Sequence, residues 1–356
     1  VSKKFIRPSM PSFPKKELAT NPVNDAYAKK VVGGAPVAFS AQASLKPDEL
    51  VVLNAQTLQS GFRTPYFIDE IRISMVTSAF ERDPAEIGAH LTGLSNAVSI
   101  LFQTGSFMFS ADSVPVGLMG PIFSPFDYGE EQINDQQARA FSTVRWALAK
   151  PLYMPAGDVV LASVKLNDVN GIFTEYFGAD SPAVSVTVTY VGRLVPPGYT
   201  STTRDVPWLA WFSKRASEDW KSSQTRFRNP FMIPAHVQRF VSRSYQVQYE
   251  LETLLDNFLN ELTTWAQIPS FDIPYQEVRM DDSRGYFIVP RYTPVGLVFD
   301  ATRKVWTFGR ELTSREQFNM EIRNGRPYQG VPFPPLPANT DYITNIGLVG
   351  YRSETL

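Results

Sequence analysis

Val184-Ser185-Val186-Thr187-Val188-Thr189-Tyr190 alternates apolar and hydroxyl side chains without a break. A strand turns successive side chains to opposite faces, so Val184, Val186, Val188 and Tyr190 share one face and Ser185, Thr187 and Thr189 the other. Such a strand is half buried, with one face on a core and the other toward water. Back along the chain, Leu50–Leu53, Tyr66–Val76, Val98–Phe109, Val114–Met119, Val144–Leu152 and Val159–Leu166 are short runs rich in Val, Ile, Phe and Tyr. Each is bounded by Pro, Gly, Asp, Asn or Ser, the residues that end strands. About seven or eight such runs within about 150 residues fit a β-sandwich, which we place over residues 46–198.

Outside that block the character changes. Residues 1–45 carry Pro8, Pro11, Pro14, Pro22 and Pro36, and their Lys and Arg outnumber their acids. They read as an extended basic N-terminal arm. Beyond Val195-Pro196-Pro197-Gly198, residues 199–225 read as a linker with a short amphipathic helix, because Trp208, Trp211 and Phe212 fall at helical spacing among Lys214, Arg215, Glu218 and Asp219. Residues 226–356 read as a second domain. Gln246–Trp265 places Leu251, Leu254, Leu255, Phe258, Leu262 and Trp265 on one stripe, which predicts a helix. Strand signals then return at Tyr286–Val289, Val295–Phe299, Val305–Phe308 and Tyr342–Tyr351.

The two halves echo each other. Arg63-Thr64-Pro65-Tyr66-Phe67-Ile68 matches Arg228-Asn229-Pro230-Phe231-Met232-Ile233 in Arg, Pro, an aromatic and Ile, and the same displacement pairs Met75-Val76-Thr77 with Phe240-Val241-Ser242. Each stretch is expected to open its domain. Val188-Thr189-Tyr190-Val191-Gly192-Arg193 and Ile346-Gly347-Leu348-Val349-Gly350-Tyr351-Arg352 each read as a last strand. Two sandwiches in tandem follow from that repeat.

Composition narrows the function. The 356 residues contain 34 Lys+Arg against 35 Asp+Glu, a net charge of -1, so no global field gathers nucleic acid or an acidic membrane. No run approaches the length of a membrane span, and Val1–Pro8 lacks the apolar core of a signal peptide. With no Cys there are no disulfides, thiolate metal sites or Cys nucleophiles, and the 2 His, His90 and His236, lie in different halves without a companion ligand. No Gly-x-Ser-x-Gly elbow and no phosphate-cradling Gly loop occurs. The carboxylate pairs Glu130-Glu131 and Asp281-Asp282 read as solvated charges rather than as a glycosidase pair or a Ca²⁺ site. No catalysis, cofactor or metal is expected.

Two groups of residues carry interaction potential. Lys3, Lys4, Arg7, Lys15 and Lys16, with Phe5 and Phe13 among them, suit contact with phosphates of nucleic acid, with lipid headgroups or with a neighbouring inner layer. Trp208, Trp211 and Trp220 cluster at the junction and suit an inter-domain or subunit interface.

Tandem sandwiches, a basic Pro-rich arm, no Cys, almost no His and no catalytic motif together resemble the viral jelly-roll capsid proteins. In organisation the chain is most similar to the double jelly-roll major capsid proteins of tailless phages and related DNA viruses. The resemblance runs from about Glu49 to Arg352 and rests on the paired stretches above. It implies two tandem eight-stranded jelly rolls, mainly β with a few helices, standing upright in a shell. It also implies homotrimers forming pseudo-hexagonal capsomers of an icosahedral virion, made in the host cytoplasm. Neighbouring capsomers, penton or minor capsid proteins and an internal membrane or genome are the implied partners. The helix at 246–265, directly after the first strand of the second half, departs from that pattern. Two other readings stay open. The first half alone resembles the single jelly roll of positive-strand RNA virus capsids, with residues 200–356 as a projection. The sandwiches also suit a receptor- or carbohydrate-binding attachment protein, with Phe126, Tyr128 and Tyr292 stacking on sugars.

Overall fold

The computed structural model describes residues 36–54, 64–77, 97–120, 122–123, 141–168, 172–196, 198–215, 224–227, 235–248, 276–282, 287–294, 298, 305–312, 318–324 and 340–356. The first half contains β1 (Pro36–Leu45), β2 (Leu50–Asn54), β3 (Tyr66–Thr77), β4 (Val98–Thr104), β5 (Phe107–Met108), β6 (Val114–Pro115), β7 (Ile122–Phe123), β8 (Phe141–Met154), β9 (Val160–Leu166) and β10 (Val184–Leu194). The second half contains β11 (Thr203–Arg215), β12 (Gln224–Phe227), β13 (Ala235–Gln248), β14 (Gln276–Asp282), β15 (Phe287–Pro294), β16 (Val305–Leu312), β17 (Phe318–Asn324) and β18 (Thr340–Thr355). A helix, α1 (Ile172–Phe177), and a 3-10 turn at Val116–Leu118 complete the described elements.

Four antiparallel sheets result. Sheet I has the order β1-β10-β3-β8-β7 and sheet II β2-β9-β4-β5; sheet III is β11-β18-β13-β16 and sheet IV β12-β17-β14-β15. Counting the principal strands of each half in chain order, sheets I and III both run first-eighth-third-sixth, and sheets II and IV both run second-seventh-fourth-fifth. That order is two interlocked Greek keys, a jelly roll, and the chain forms it twice. The reading of residues 200–356 as a projection on a single jelly roll is thereby corrected.

The duplication extends to a backbone detail. In sheet I the register slips between Ile68 and Glu70 opposite Val191/Gly192, and in sheet III between Val237 and Arg239 opposite Val349/Gly350. Each slip is a β-bulge with a glycine across from it. A Cβ on Gly192 would lie 1.7 Å from the Phe67 carbonyl oxygen, and one on Gly350 1.9 Å from that of His236. Only glycine fits either place.

These registers correct several expectations. Ile68 corresponds to Val237, not to Ile233, and the Arg-x-Pro stretch precedes the third strand of each jelly roll rather than opening the domain. Residues 36–45, read as part of the arm, form β1, whose Phe39, Ala41 and Leu45 are buried. Thr203–Arg215, read as linker and short helix, is the first strand of the second jelly roll. Of the helix expected over 246–265, residues 246–248 end β13 and the rest lies outside the described residues.

The larger core fills the space between sheets I and II. Val184, Val186, Val188 and Tyr190 point into it from β10 and Val160, Ala162, Val164 and Leu166 from β9. At its centre Phe102, Phe109 and Trp146 stand with ring centroids 5.7 to 6.2 Å apart. Burial pushes the Tyr66 and Tyr190 hydroxyls well above the usual phenol range. A second core between sheets III and IV contains Trp208, Val237, Phe240, Val278, Met280, Met320, Ile322, Ile346 and Leu348.

Candidate functional site: an arginine-pinned seam between the jelly rolls

Sheet III has apolar side chains on both faces. Along β11, Trp208 joins the second core, while Leu209 and Trp211 pack on the first. Along β18, Ile346 and Leu348 face the second core and Val349 the first. The outer face of sheet III is therefore covered by the first jelly roll, through β8 and the segment from β5 to the 3-10 turn. Where β18 passes that turn, Gly347 leaves room for Leu118: a Cβ there would sit 3.2 Å from the Leu118 Cβ.

The backbone itself crosses the seam. The Leu209 N–H donates to the Phe109 carbonyl at 2.8 Å, and Ser110 and Leu209 form a parallel bridge. Three arginines of the second jelly roll then bond the carbonyls of the same first-roll segment. Arg239 donates to the Met119 carbonyl at 2.7 Å and Arg352 to the Met108 carbonyl at 2.7 Å. Arg204, 3% exposed, donates to the Thr104 carbonyl at 3.4 Å and to the Asp158 carboxylate at 2.7 Å, with its guanidinium 4.5 Å from the centre of the Phe107 ring. Each of these carbonyls accepts from one guanidinium nitrogen, and a charge-assisted bond contributes about 1.5–3 kcal/mol net. Burial lowers the pKa of Arg239; it also lowers that of Arg352, where Glu354 at 2.6 Å works in the opposite direction.

The seam ends in a polar cluster. His236 stacks on Tyr351 with centroids 4.9 Å apart, Lys150 lies 4.6 Å over the same ring, and the Lys150 ammonium is 3.5 Å from Asp205. His236 thus packs within sheet III, on the ring that Lys150 of the first jelly roll covers.

The residues singled out from the sequence divide as follows. Trp208 is buried in the second core and Trp211 is half-buried against the first, on opposite faces of β11. Trp220, Lys3, Lys4, Arg7, Lys15, Lys16, His90, Glu130, Glu131, Phe126 and Tyr128 lie outside the described residues. Asp281 accepts from the Asn319 amide at 2.7 Å within sheet IV. Tyr292 is covered by Arg323, 3.4 Å from its ring centre, and donates to Glu321 at 2.5 Å. Among the described residues no cluster of His, Asp or Glu could hold a metal ion, and no helix is long and apolar enough to cross a membrane. The seam arginines had no sequence signal, because each reaches across to a main-chain carbonyl.

No protein-family model matches the chain, and comparison with curated protein sequences gives no match. Solved structures do align with it over most of their length. A chain from the atomic structure of Sulfolobus turreted icosahedral virus is 11% identical, with 89% of this chain and 91% of that chain covered and a TM-score of 0.46. VP54 of PBCV-1, fitted into a reconstruction of the virophage Sputnik, is 11% identical over 90% and 94%, with a TM-score of 0.48. The major capsid protein P2 of bacteriophage PM2 is 6% identical over 89% and 98%, with a TM-score of 0.39. The strand order within the chain, rather than these superpositions, identifies the fold.

Proposed function

We propose that this chain is a structural major capsid protein of an icosahedral virus, and that three copies form one pseudo-hexagonal capsomer. One observation carries the reading: the same eight-strand order occurs twice, and the two copies are pinned into one block by the seam. Three such blocks in a ring present six similar sandwiches, which lets a three-fold object tile like a hexagon. The buried arginines and the covered face of sheet III support the reading, since a shell subunit needs its two jelly rolls at a fixed angle. In this reading Lys3, Lys4, Arg7, Lys15 and Lys16 contact an internal membrane, genome or protein layer, and penton and minor capsid proteins are further partners. The protein resides in the virion after synthesis in the host cytoplasm.

Light scattering on the purified chain, with negative-stain images at rising concentration, tests this. Particles of about 120 kDa, three times 39.9 kDa, that convert into closed shells are the expected result. A chain that stays monomeric at every concentration and never forms shells overturns the proposal.

A further inference from the structure

The two jelly rolls treat their second strands differently. β2 reads Leu50-Val51-Val52-Leu53-Asn54, without charge or proline, whereas its counterpart β12 reads Gln224-Thr225-Arg226-Phe227. Among the described residues each has a partner strand on one side only. An edge strand offers unpaired N–H and C=O groups to any passing chain, and soluble proteins guard it with charge, proline or a bulge. β2 has none of these guards, since its register with β9 runs unbroken from Leu50↔Lys165 to Asn54↔Leu161.

Its side chains point the same way. Leu50 and Val52 project from the face away from the core and are each 59% exposed. Leu356 is the other large hydrophobic exposed among the described residues. Inward from Val52 on that face lie Ser163 and then half-buried Leu101, and beside Leu50 lies Lys165, which pairs with Asp48 at 3.1 Å. The turn before β2 is fixed. Asp48 adopts φ 57, its N–H donates to the Leu166 carbonyl at 2.8 Å, and the Glu49 carboxylate accepts the Lys46 N–H at 3.0 Å.

We infer that β2 pairs antiparallel with β2 of a second copy of this chain across a two-fold axis, joining two β2-β9-β4-β5 sheets into one. The strand is self-complementary in that arrangement. A register centred on Val51 sets Leu50 against Val52 of the second copy and Val52 against its Leu50, so four exposed apolar side chains cover one another on one face. The charges agree: Asp48 and Glu49 fall opposite Asn54 and Leu53 of the second copy, and no like charges meet. A contact of this kind closes after two copies. In the capsid reading, on which its place in a shell rests, it joins one capsomer to the next.

The absence of cysteine makes the test direct. Leu50→Cys/Val52→Cys in the full chain supplies the only thiols, and opposed strand residues stand about 4.5–5.5 Å apart at Cα, within the reach of a disulfide. Oxidation is expected to give covalent dimers that a reductant reverses, while Ser40→Cys/Gln42→Cys on edge strand β1 gives none. Absence of dimers from the first variant, or equal yields from both, overturns the inference. Leu50→Lys/Val52→Lys is expected to leave the thermal midpoint and trimer mass unchanged and to raise the concentration needed for capsomer association by about tenfold or more. Unchanged association overturns it. A chain whose wild type forms no trimers, but whose Leu50→Cys/Val52→Cys variant still gives the disulfide dimer, refutes the capsid reading and upholds the strand pairing.

Discussion

β10 and β18 hold the same place in the two jelly rolls and carry different patterns. β10 buries Val184, Val186, Val188 and Tyr190 and leaves Ser185, Thr187 and Thr189 half-buried on the other side; β18 is buried at every residue from Thr344 to Gly350. The bulge glycines align the two sheets position by position. Ala38 of sheet I corresponds to Leu209 of sheet III, Ser40 to Trp211, Thr189 to Gly347 and Glu70 to Arg239. One framework thus presents water with small and hydroxyl side chains, or another jelly roll with apolar side chains and arginine donors. A few outward positions decide which.

The largest expected effects come from the glycines that define the alignment. Gly192→Ala and Gly350→Ala each force a Cβ onto a carbonyl oxygen that belongs to backbone and cannot move away, so each should cost on the order of 4 kcal/mol or more. Hydrogen exchange sharpens the contrast: Gly192→Ala should loosen the first jelly roll, and Gly350→Ala both, because β18 borders the seam. Equal and local loosening in the two variants would show that sheet III does not couple the halves.

Next in size is the apolar exchange. Leu209→Ala should lower stability by about 2–5 kcal/mol in a denaturant titration, since Leu209 is buried in the first core. Ala38→Leu, at the matching exposed place, should change it by less than about 0.5 kcal/mol. Similar costs at the two places would erase the distinction between the faces.

A smaller difference separates Arg239 from Glu70. Arg239→Ala leaves the Met119 carbonyl without its donor and should cost about 1–3 kcal/mol. Glu70 pairs with Arg145 at 2.6 Å and Arg72 at 2.8 Å, but both arginines are more than two-fifths exposed, so Glu70→Gln should cost less than about 1 kcal/mol at neutral pH.

Acid separates them further. Hydrogen bonds from Arg145, with a smaller contribution from Arg72, bring the Glu70 pKa down from 4.5 to about 2. A carboxyl whose pKa is lower in the folded state stabilises fully above the unfolded value and loses that contribution as pH falls through the folded one. Wild type and Glu70→Gln should therefore differ above about pH 4.5 and converge near pH 2. Parallel stability curves across that range would refute the assignment.

Much of this architecture is legible in the sequence, unevenly and for physical reasons. β10 announces itself because one face meets water and selects hydroxyls. β11 does not, because both of its faces are covered: Trp208 points to one core and Trp211 to the other, and their three-residue spacing imitates a helix. β1 was hidden by Pro36 at its start, although Val37, Phe39, Ala41, Ala43 and Leu45 alternate as a strand should. The closing strands matched because Gly192 and Gly350 meet the same steric demand. The opening match slipped by four residues, since Ile68 takes the register place of Val237 and not of Ile233. The seam left the faintest trace, because a carbonyl can be supplied by any residue and Arg204, Arg239 and Arg352 each reach across to a main-chain oxygen.

The covered face of sheet III also bears on the order of events during translation. A ribosome adds about 5–20 residues per second, so the first jelly roll, complete at β10, has about 7–30 s to close before β18 appears. What it shows water meanwhile on sheet I is hydroxyl, amide and ion-paired surface. Sheet III, whose outer side is sticky, cannot close until β18 inserts between β11 and β13. By then its cover is already folded and tethered to the same chain, at a local concentration no stray chain can match. The sandwich made first acts as chaperone to the one made second.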